Sequence, residues 1–354
     1  MANLCSYGWN NQWQQLKNDL SYNELEHGRI ISTHKTRYDV ATSEGVLSCE
    51  LTGNILYTKE PHEYPITGDW VVFQRFGELG IIIDILSRKN ALSRKKSGTK
   101  ASLQHFAANI DKAFIVQSCD ANFNVRRTER FLIQVIDSGI VPVLILTKAD
   151  LGADIGKLKQ SLDKIGEKAE VFVTSIYDNE SIDRLRKIIN PAETFIFIGS
   201  SGVGKSSLIN RLCDDQLLET SAISTSTGKG KHTSTRREIF LLESGGILLD
   251  TPGVREFGLA VDSDDTIAET LDIDQLMGKC KFHDCTHTSE PGCAVLNAIA
   301  SGDLDVGTYN SYLKLKREIM YFNETTYERR ERERQFHRMV KDVIREKKSR
   351  DRSV

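Results

Sequence analysis

Eight consecutive residues, Gly199-Ser200-Ser201-Gly202-Val203-Gly204-Lys205-Ser206, fit the phosphate-binding pattern G-x-x-x-x-G-K-[ST] at every fixed position. Gly202 and Gly204 let the backbone wrap closely round a β-phosphate, Lys205 reaches the β- and γ-phosphates, and the Ser206 hydroxyl is placed to ligate magnesium. An apolar run, residues 195–198, leads in, and Ser207 begins a helix whose N-terminal N–H groups and dipole favour an anion. The chemistry such a loop supports is phosphoryl transfer, with Lys205 catalytic in neutralising charge as water attacks a γ-phosphate in line.

Other stretches say which base would accompany those phosphates. Thr147-Lys148-Ala149-Asp150 follows a buried-strand pattern and has the form of the [N/T]-K-x-D guanine motif of GTPases, whose Asp accepts from guanine N1–H and the exocyclic amine. Adenine offers no such pair of donors, so a buried Asp150 would reject ATP by being left unpaired, which argues against the alternative of an ATP-using protein. Thr174 and Ser175 occupy the place of a weaker base-contacting element, usually written S-A; Ile176 departs from it, so only the first two are carried over. Residues 247–253 form an apolar strand delivering D-x-x-G, with Asp250 to hold a magnesium-bound water and the Gly253 N–H to sense the γ-phosphate. Between them lies a Gly-rich polar stretch, residues 228–235, in which Thr233 or Thr235 would complete the magnesium shell. In ordinary GTPases the phosphate loop comes first and the base motifs last. Here the base motifs precede residue 199, which is the order of a circular permutation, tolerable because domain termini tend to lie close together at the surface.

A second constellation is metal-binding. Cys280-x4-Cys285-x-His287-x5-Cys293 supplies three thiolates and an imidazole, a complete tetrahedral set for one structural zinc, with His283 as the alternative imidazole. Zinc would stabilise a module too small to hold a core alone.

These residues need rigid elements to hold them. Runs at 110–117, 141–146 and 170–174, alternating with helical stretches at 129–138 and 182–189, predict a doubly wound parallel sheet covered on both faces. Before it, short β-rich runs at 29–32, 38–42, 46–51, 70–76 and 80–85 predict a small closed barrel of the OB type, with an SH3-like barrel as the alternative. Trp9, Trp13, Leu16 and Leu20 predict a short amphipathic packing helix. Arg88, Lys89, Arg94, Lys95, Lys96 and Lys100 form a basic strip, read either as a solvated linker or as a phosphate-contacting surface for structured RNA. From residue 309 onward the pattern is helical, with Tyr312, Leu315, Ile319 and Phe322 on one stripe, and beyond residue 327 it becomes arginine-rich, either a solvated helix or an RNA grip. The expected organisation is multidomain: an extension (1–24), an OB-like β-barrel and basic linker (25–100), a circularly permuted α/β GTPase domain (101–260), a helical zinc-binding module (261–322) and a charged helical tail (323–354).

Composition agrees with several globular domains: 354 residues, 39% hydrophobic and 27% charged, net charge −2, which leaves any nucleic-acid contact to local patches. No apolar run approaches a membrane span and no leader pattern opens the chain, so a cytoplasmic protein with no membrane partner is expected, and its seven cysteines are not expected to form a disulfide framework.

The order TKAD, TS, GSSGVGKS, GKGKHTST, DTPG, preceded by a barrel and followed by C-x4-C-x-H-x5-C, resembles the ribosome small-subunit-dependent GTPase A family of bacteria over roughly residues 25–320. The resemblance implies a late-acting assembly factor that hydrolyses GTP to GDP on the maturing small ribosomal subunit and then departs, with barrel and zinc module touching ribosomal RNA. Nothing signals an obligate dimer, so a monomer off the ribosome is expected. Many GTPases follow the D-x-x-G glycine with a water-orienting Gln; this chain has Val254, which cannot orient water, and His232 is the hypothesised substitute once the subunit orders its loop. A nucleotide-regulated RNA-binding scaffold with negligible turnover is the competing expectation.

Overall fold

The computed structural model describes residues 3–60, 62–95, 103–213, 238–250, 264–323 and 334. A 3-10 turn (Leu4–Tyr7) and helix α1 (Asn11–Asp19) lead into β1 (Glu26–Thr33), β2 (Tyr38–Thr42), β3 (Gly45–Leu51), α2 (Gly53–Thr58), β4 (Trp70–Phe76) and β5 (Leu79–Ile85). The strands pair in the order β1-β2-β3-β5-β4 and close back onto β1. Every pairing is antiparallel except β3 with β5. That connectivity, with a helix between β3 and β4, is the OB arrangement rather than the SH3-like one.

Ile30, Val40, Leu47, Cys49, Val71, Phe73 and Ile82 fill the barrel interior. The run from Trp70 to Phe73 is apolar on both sides for a reason. Val71 and Phe73 point inward, while Trp70 and Val72 pack outward against Leu4, Trp13 and Leu86. The Asn10 side chain caps α1 by accepting from the Gln12 and Trp13 N–H groups. Trp9 lies ahead of the helix and stacks on His27 with ring centroids 4.0 Å apart. Leu20 falls beyond the last helical residue and is exposed, so the packed stripe is shorter than its spacing predicted.

Within the basic strip, Arg88, Lys89 and Arg94 have partners. Arg88 Nε and Nη2 each donate to the buried Asp69 carboxylate at 2.8 Å, Lys89 Nζ donates to Asp111 at 2.6 Å, and Arg94 Nε donates to Gln104 Oε1. Strands β6 (Ala91–Lys95) and β7 (Leu103–Ala108) then pair antiparallel. Lys96 and Lys100 lie outside the described residues.

The larger sheet contains β8 (Lys112–Ser118), β9 (Val141–Thr147), β10 (Glu170–Val173), β11 (Thr194–Ile198), β12 (Glu238–Leu241) and β13 (Ile247–Asp250) in the order β10-β9-β8-β11-β13-β12. All pairs are parallel except β12–β13. Helices α3 (Val125–Asp137), α4 (Ile155–Gln160) and α5 (Asp163–Gly166) cover one face; α6 (Asn179–Lys187) and α7 (Lys205–Leu212) cover the other. Burial on both faces explains the near-continuous apolar strands. Among the described residues, the pairing of Ser32 with Glu238 joins β12 to the barrel's β1.

The C-terminal module comprises α8 (Asp264–Thr270), α9 (Asp274–Met277), α10 (Ala294–Ser301) and α11 (Val306–Asn323). Its core includes Ile133 from α3. The same helix contributes Arg126 to Asp305, Arg130 to Glu318, and Glu129, which accepts from Ser311 Oγ. Residues 324–333 and 335–354, holding most of the arginine-rich tail, lie outside the described residues.

Arg29 joins extension, barrel and sheet. Fully buried, it donates through Nη1 to Tyr7 O, Nε to Gly68 O and Nη2 to Asn109 O, at 2.6, 3.2 and 3.1 Å, with Trp70 beneath its guanidinium. Desolvation lowers its pKa to about 10, still far above neutrality, so the charge persists. Gly68 allows the approach: at φ +98°, a Cβ there would meet Ala108 O at 2.2 Å. Arg29→Met should strand the Tyr7 and Asn109 carbonyls, Gly68 O keeping its hydrogen bond from Asn109 Nδ2, and cost about 3–5 kcal/mol in urea unfolding. A loss below about 1 kcal/mol would show that the contacts are incidental.

Candidate nucleotide site and metal centre

Strands β8, β9, β11 and β13 all end at one edge of the sheet, the edge at which doubly wound folds take ligands. β11 delivers Gly199, and α7 begins immediately after Gly204. At Gly199, with φ +149°, a Cβ would meet Val116 O at 2.4 Å, so this first glycine is required by packing against β8. Gly204 caps α7 at φ +92° with no side-chain acceptor, leaving the helix N-terminus to an external anion. Lys205 Nζ donates to Gly199 O at 2.8 Å and Ser200 O at 2.6 Å, which places the ammonium at the loop mouth. Ser206 and Ser207 stand in the first turn of α7. Asp250 ends β13, the strand beside β11.

The base motifs join this loop directly. Thr147, buried, donates its hydroxyl to Val203 O at 2.5 Å, with Gln117 O a more distant acceptor at 3.2 Å. Lys148, at φ +59°, sends Nζ to Gly202 O at 2.7 Å and to Asp120 Oδ2 at 2.8 Å. Asp150 Oδ1 accepts from Ser175 Oγ at 2.6 Å, and Thr174 Oγ1 contacts Ser181 Oγ at 2.9 Å. Asp150 is exposed, not the buried carboxylate expected from its motif, because it lies past the end of β9 in the turn that follows the strand. His232, Thr233, Thr235 and Gly253 lie outside the described residues, as does Val254.

Three residues at this edge carry no motif. Asp120, Asn122 and Arg127 come from the turn after β8 and the first turn of α3; Asn122 Nδ2 donates to Ser201 O and Arg127 Nη1 to Ser200 Oγ. Burial alone would raise the Asp120 pKa, but hydrogen bonds from Lys148, Ser118 and the Asn122 N–H outweigh it and hold the carboxyl at about 2. The signal available in the sequence was a polar cluster, Ser118 to Asn124, at the carboxyl end of a buried strand.

The architecture has relatives. A structure titled as YjeQ from Thermotoga maritima superposes with TM-score 0.62 at 23% identity, covering 83% of this chain and 98% of that one. YloQ, titled a circularly permuted GTPase, gives 0.59 at 26%, covering 84% and 96%. Residues 85–260 match the RsgA GTPase family. "Small ribosomal subunit biogenesis GTPase RsgA 1" of Bacteroides thetaiotaomicron is 52% identical over 98% of both chains. This chain belongs to the RsgA GTPase family. A Vibrio parahaemolyticus RsgA is 38% identical over 99% of this chain and 95% of its own. Membership makes the chain a GTP hydrolase, with guanine nucleotide and magnesium as its cofactors, and its motif order is that of the permuted GTPases.

The cysteine–histidine set also converges in this RsgA-family chain. Ligand atoms of Cys280, Cys285, His287 and Cys293 all lie within 4.8 Å of one another. Regular tetrahedral zinc would set sulfurs about 3.8 Å apart and sulfur and nitrogen about 3.6 Å apart, given its bond lengths. The observed separations are 3.9 Å between Cys280 and Cys293 Sγ, and 3.5 and 3.6 Å from these to His287 Nδ1. At 3.9 Å the sulfurs are far from disulfide distance. Burial lowers the His287 pKa, favouring the neutral ring a metal needs, and Tyr309 Oη fixes the local backbone by donating to His287 O at 2.6 Å. The residues therefore fit zinc. His283 is exposed and outside the cluster. Atomic emission on purified protein should find zinc equimolar with wild type and His283→Ala, and lost from His287→Ala and Cys293→Ser. Retention in His287→Ala would refute this ligand set.

Proposed function

We propose that this GTP hydrolase binds the small ribosomal subunit and its ribosomal RNA and acts in late maturation of that subunit, with hydrolysis stimulated by the subunit and driving release. The observation that carries the reading is Lys148 bridging from the base motif to Gly202 O, which unites a guanine site and a phosphate site in one cradle. The full-length likeness to proteins named as small ribosomal subunit biogenesis GTPases supplies the partner.

In this reading Asp150 pairs with guanine N1–H and the exocyclic amine, while Thr147, Thr174 and Ser175 hold the base loops. Residues 199–207 take the phosphates, with Lys205 on the β- and γ-oxygens. Ser206, Asp250 through water, and Thr233 or Thr235 would hold magnesium, which would neutralise phosphate charge and align the leaving group. Gly253 senses the γ-phosphate and His232 orients the attacking water. Zinc keeps the C-terminal module folded. Arg88 and Lys89 are committed to Asp69 and Asp111, so within the basic strip an RNA contact falls to the residues that follow them. No helix among the described residues is long and apolar enough to cross a membrane, and the reading places a monomeric protein in the cytoplasm.

Turnover measured with and without purified small subunits, across a salt series, should rise with subunits and fall steeply with salt. No stimulation would favour the scaffold that uses GTP only as a conformational ligand. His232→Ala should keep nucleotide binding and lose subunit-stimulated turnover; full turnover would remove His232 from the mechanism. Asp150→Asn should shift preference from guanine towards xanthine nucleotides, and unchanged preference would sink the base assignment.

A further inference from the structure

Three consecutive carbonyls of the phosphate loop are held from outside. Ser201 O accepts from Asn122 Nδ2 at 3.3 Å, Gly202 O from Lys148 Nζ, and Val203 O from Thr147 Oγ1. A trans peptide is planar, so fixing a carbonyl on one side turns the next residue's N–H to the other. The three contacts thereby set the N–H groups of Gly202, Val203 and Gly204, the donors a phosphate requires.

Two of these holds depend on the β8–α3 turn. Asn122 makes one itself and is steadied by Arg127, whose Nη1 donates to Asn122 Oδ1 at 3.0 Å. Asp120 makes the other through Lys148. Its Oδ2 takes the ammonium at 2.8 Å, while Ser118 Oγ and the Asn122 N–H fix its Oδ1 at 2.7 and 2.9 Å. Lysine is a flexible point charge, and a second acceptor narrows the positions open to its ammonium.

We infer that Asp120 and Asn122 are positioning residues for phosphate binding: from the β8–α3 turn they orient the Ser201 and Gly202 carbonyls, Asp120 acting through Lys148, and so preset the loop's N–H groups. This rests on the guanine-nucleotide reading above. Its effect falls on how tightly the phosphates are retained, because a loop free to turn its carbonyls inward would lose donors at no cost to Asp150's recognition of the base.

The test is stopped-flow release of a fluorescent GDP analogue from the full chain. Asn122→Ala and Asn122→Leu should both speed release roughly three- to tenfold, the scale of one hydrogen bond. The leucine keeps the volume and loses the donor, so release at the wild-type rate from Asn122→Leu would reduce Asn122 to a packing role and overturn the inference. Asp120→Asn should speed release by a similar factor in the wild-type background and by less than about twofold in Lys148→Met, where nothing is left for Asp120 to orient. Equal factors in both backgrounds would overturn the Asp120 role. Should Lys148→Met bind too weakly to follow, wild-type release from Asp120→Asn would do the same. Failure of the wild-type chain to bind any guanine nucleotide would overturn the parent reading, an outcome distinct from unchanged release in the variants.

Discussion

A buried positive charge without a carboxylate in contact is expensive unless dipoles replace water around it. Arg29 meets that condition with carbonyls from three separate parts of the chain and the face of Trp70. None of those carbonyls belongs to a neighbouring residue in sequence, so the charge is solvated only when the extension, the barrel and the turn between β7 and β8 have all arrived. The cost of leaving it unsolvated is what makes the three parts one body. The Trp-rich extension is therefore part of the barrel's support, covering the outward face of β4.

At the other end of the molecule α3 has a comparable role. One end of the helix reaches Ser200 through Arg127, and its outer face carries the C-terminal module through Ile133, Arg126, Glu129 and Arg130. Glu129 is mostly buried, and desolvation raises its pKa despite Arg126 and Ser311, so this contact is more than a solvated surface pair. Phosphate loop and C-terminal module are thus both tied to α3.

The strands were legible because burial writes itself locally: alternation in the barrel, continuous apolar runs in the two-faced sheet. The phosphate loop, the guanine motif and the zinc ligands were legible because each has fixed spacing, and the structure brings Lys148 to the loop, Ser175 to Asp150 and the four ligands to one point. Pairing across the chain was not. Arg88 and Lys89 read as free charge because Asp69 and Asp111 stand about twenty residues away, and composition counts charges without partners. Leu20 continued a helical period past the point where the helix stops. Asp120 and Asn122 belong to no motif, and only the three-dimensional fact that β8 lies between β9 and β11 makes them neighbours of the loop.

The permuted order also fixes a sequence of events in time. Strands β8, β9 and β10 are contiguous both in the chain and in the sheet, whereas β11 inserts its phosphate loop beside a β8 made some eighty residues earlier, at Phe195 opposite Lys112. A chain emerging N-terminus first can complete the base-reading half of the cradle before the phosphate-reading half has been synthesised. In an unpermuted GTPase the phosphate half comes first. Here the last strand to be made, β13, enters between β11 and β12 and closes the sheet, so a nucleotide can act as a template only for the final stage of assembly.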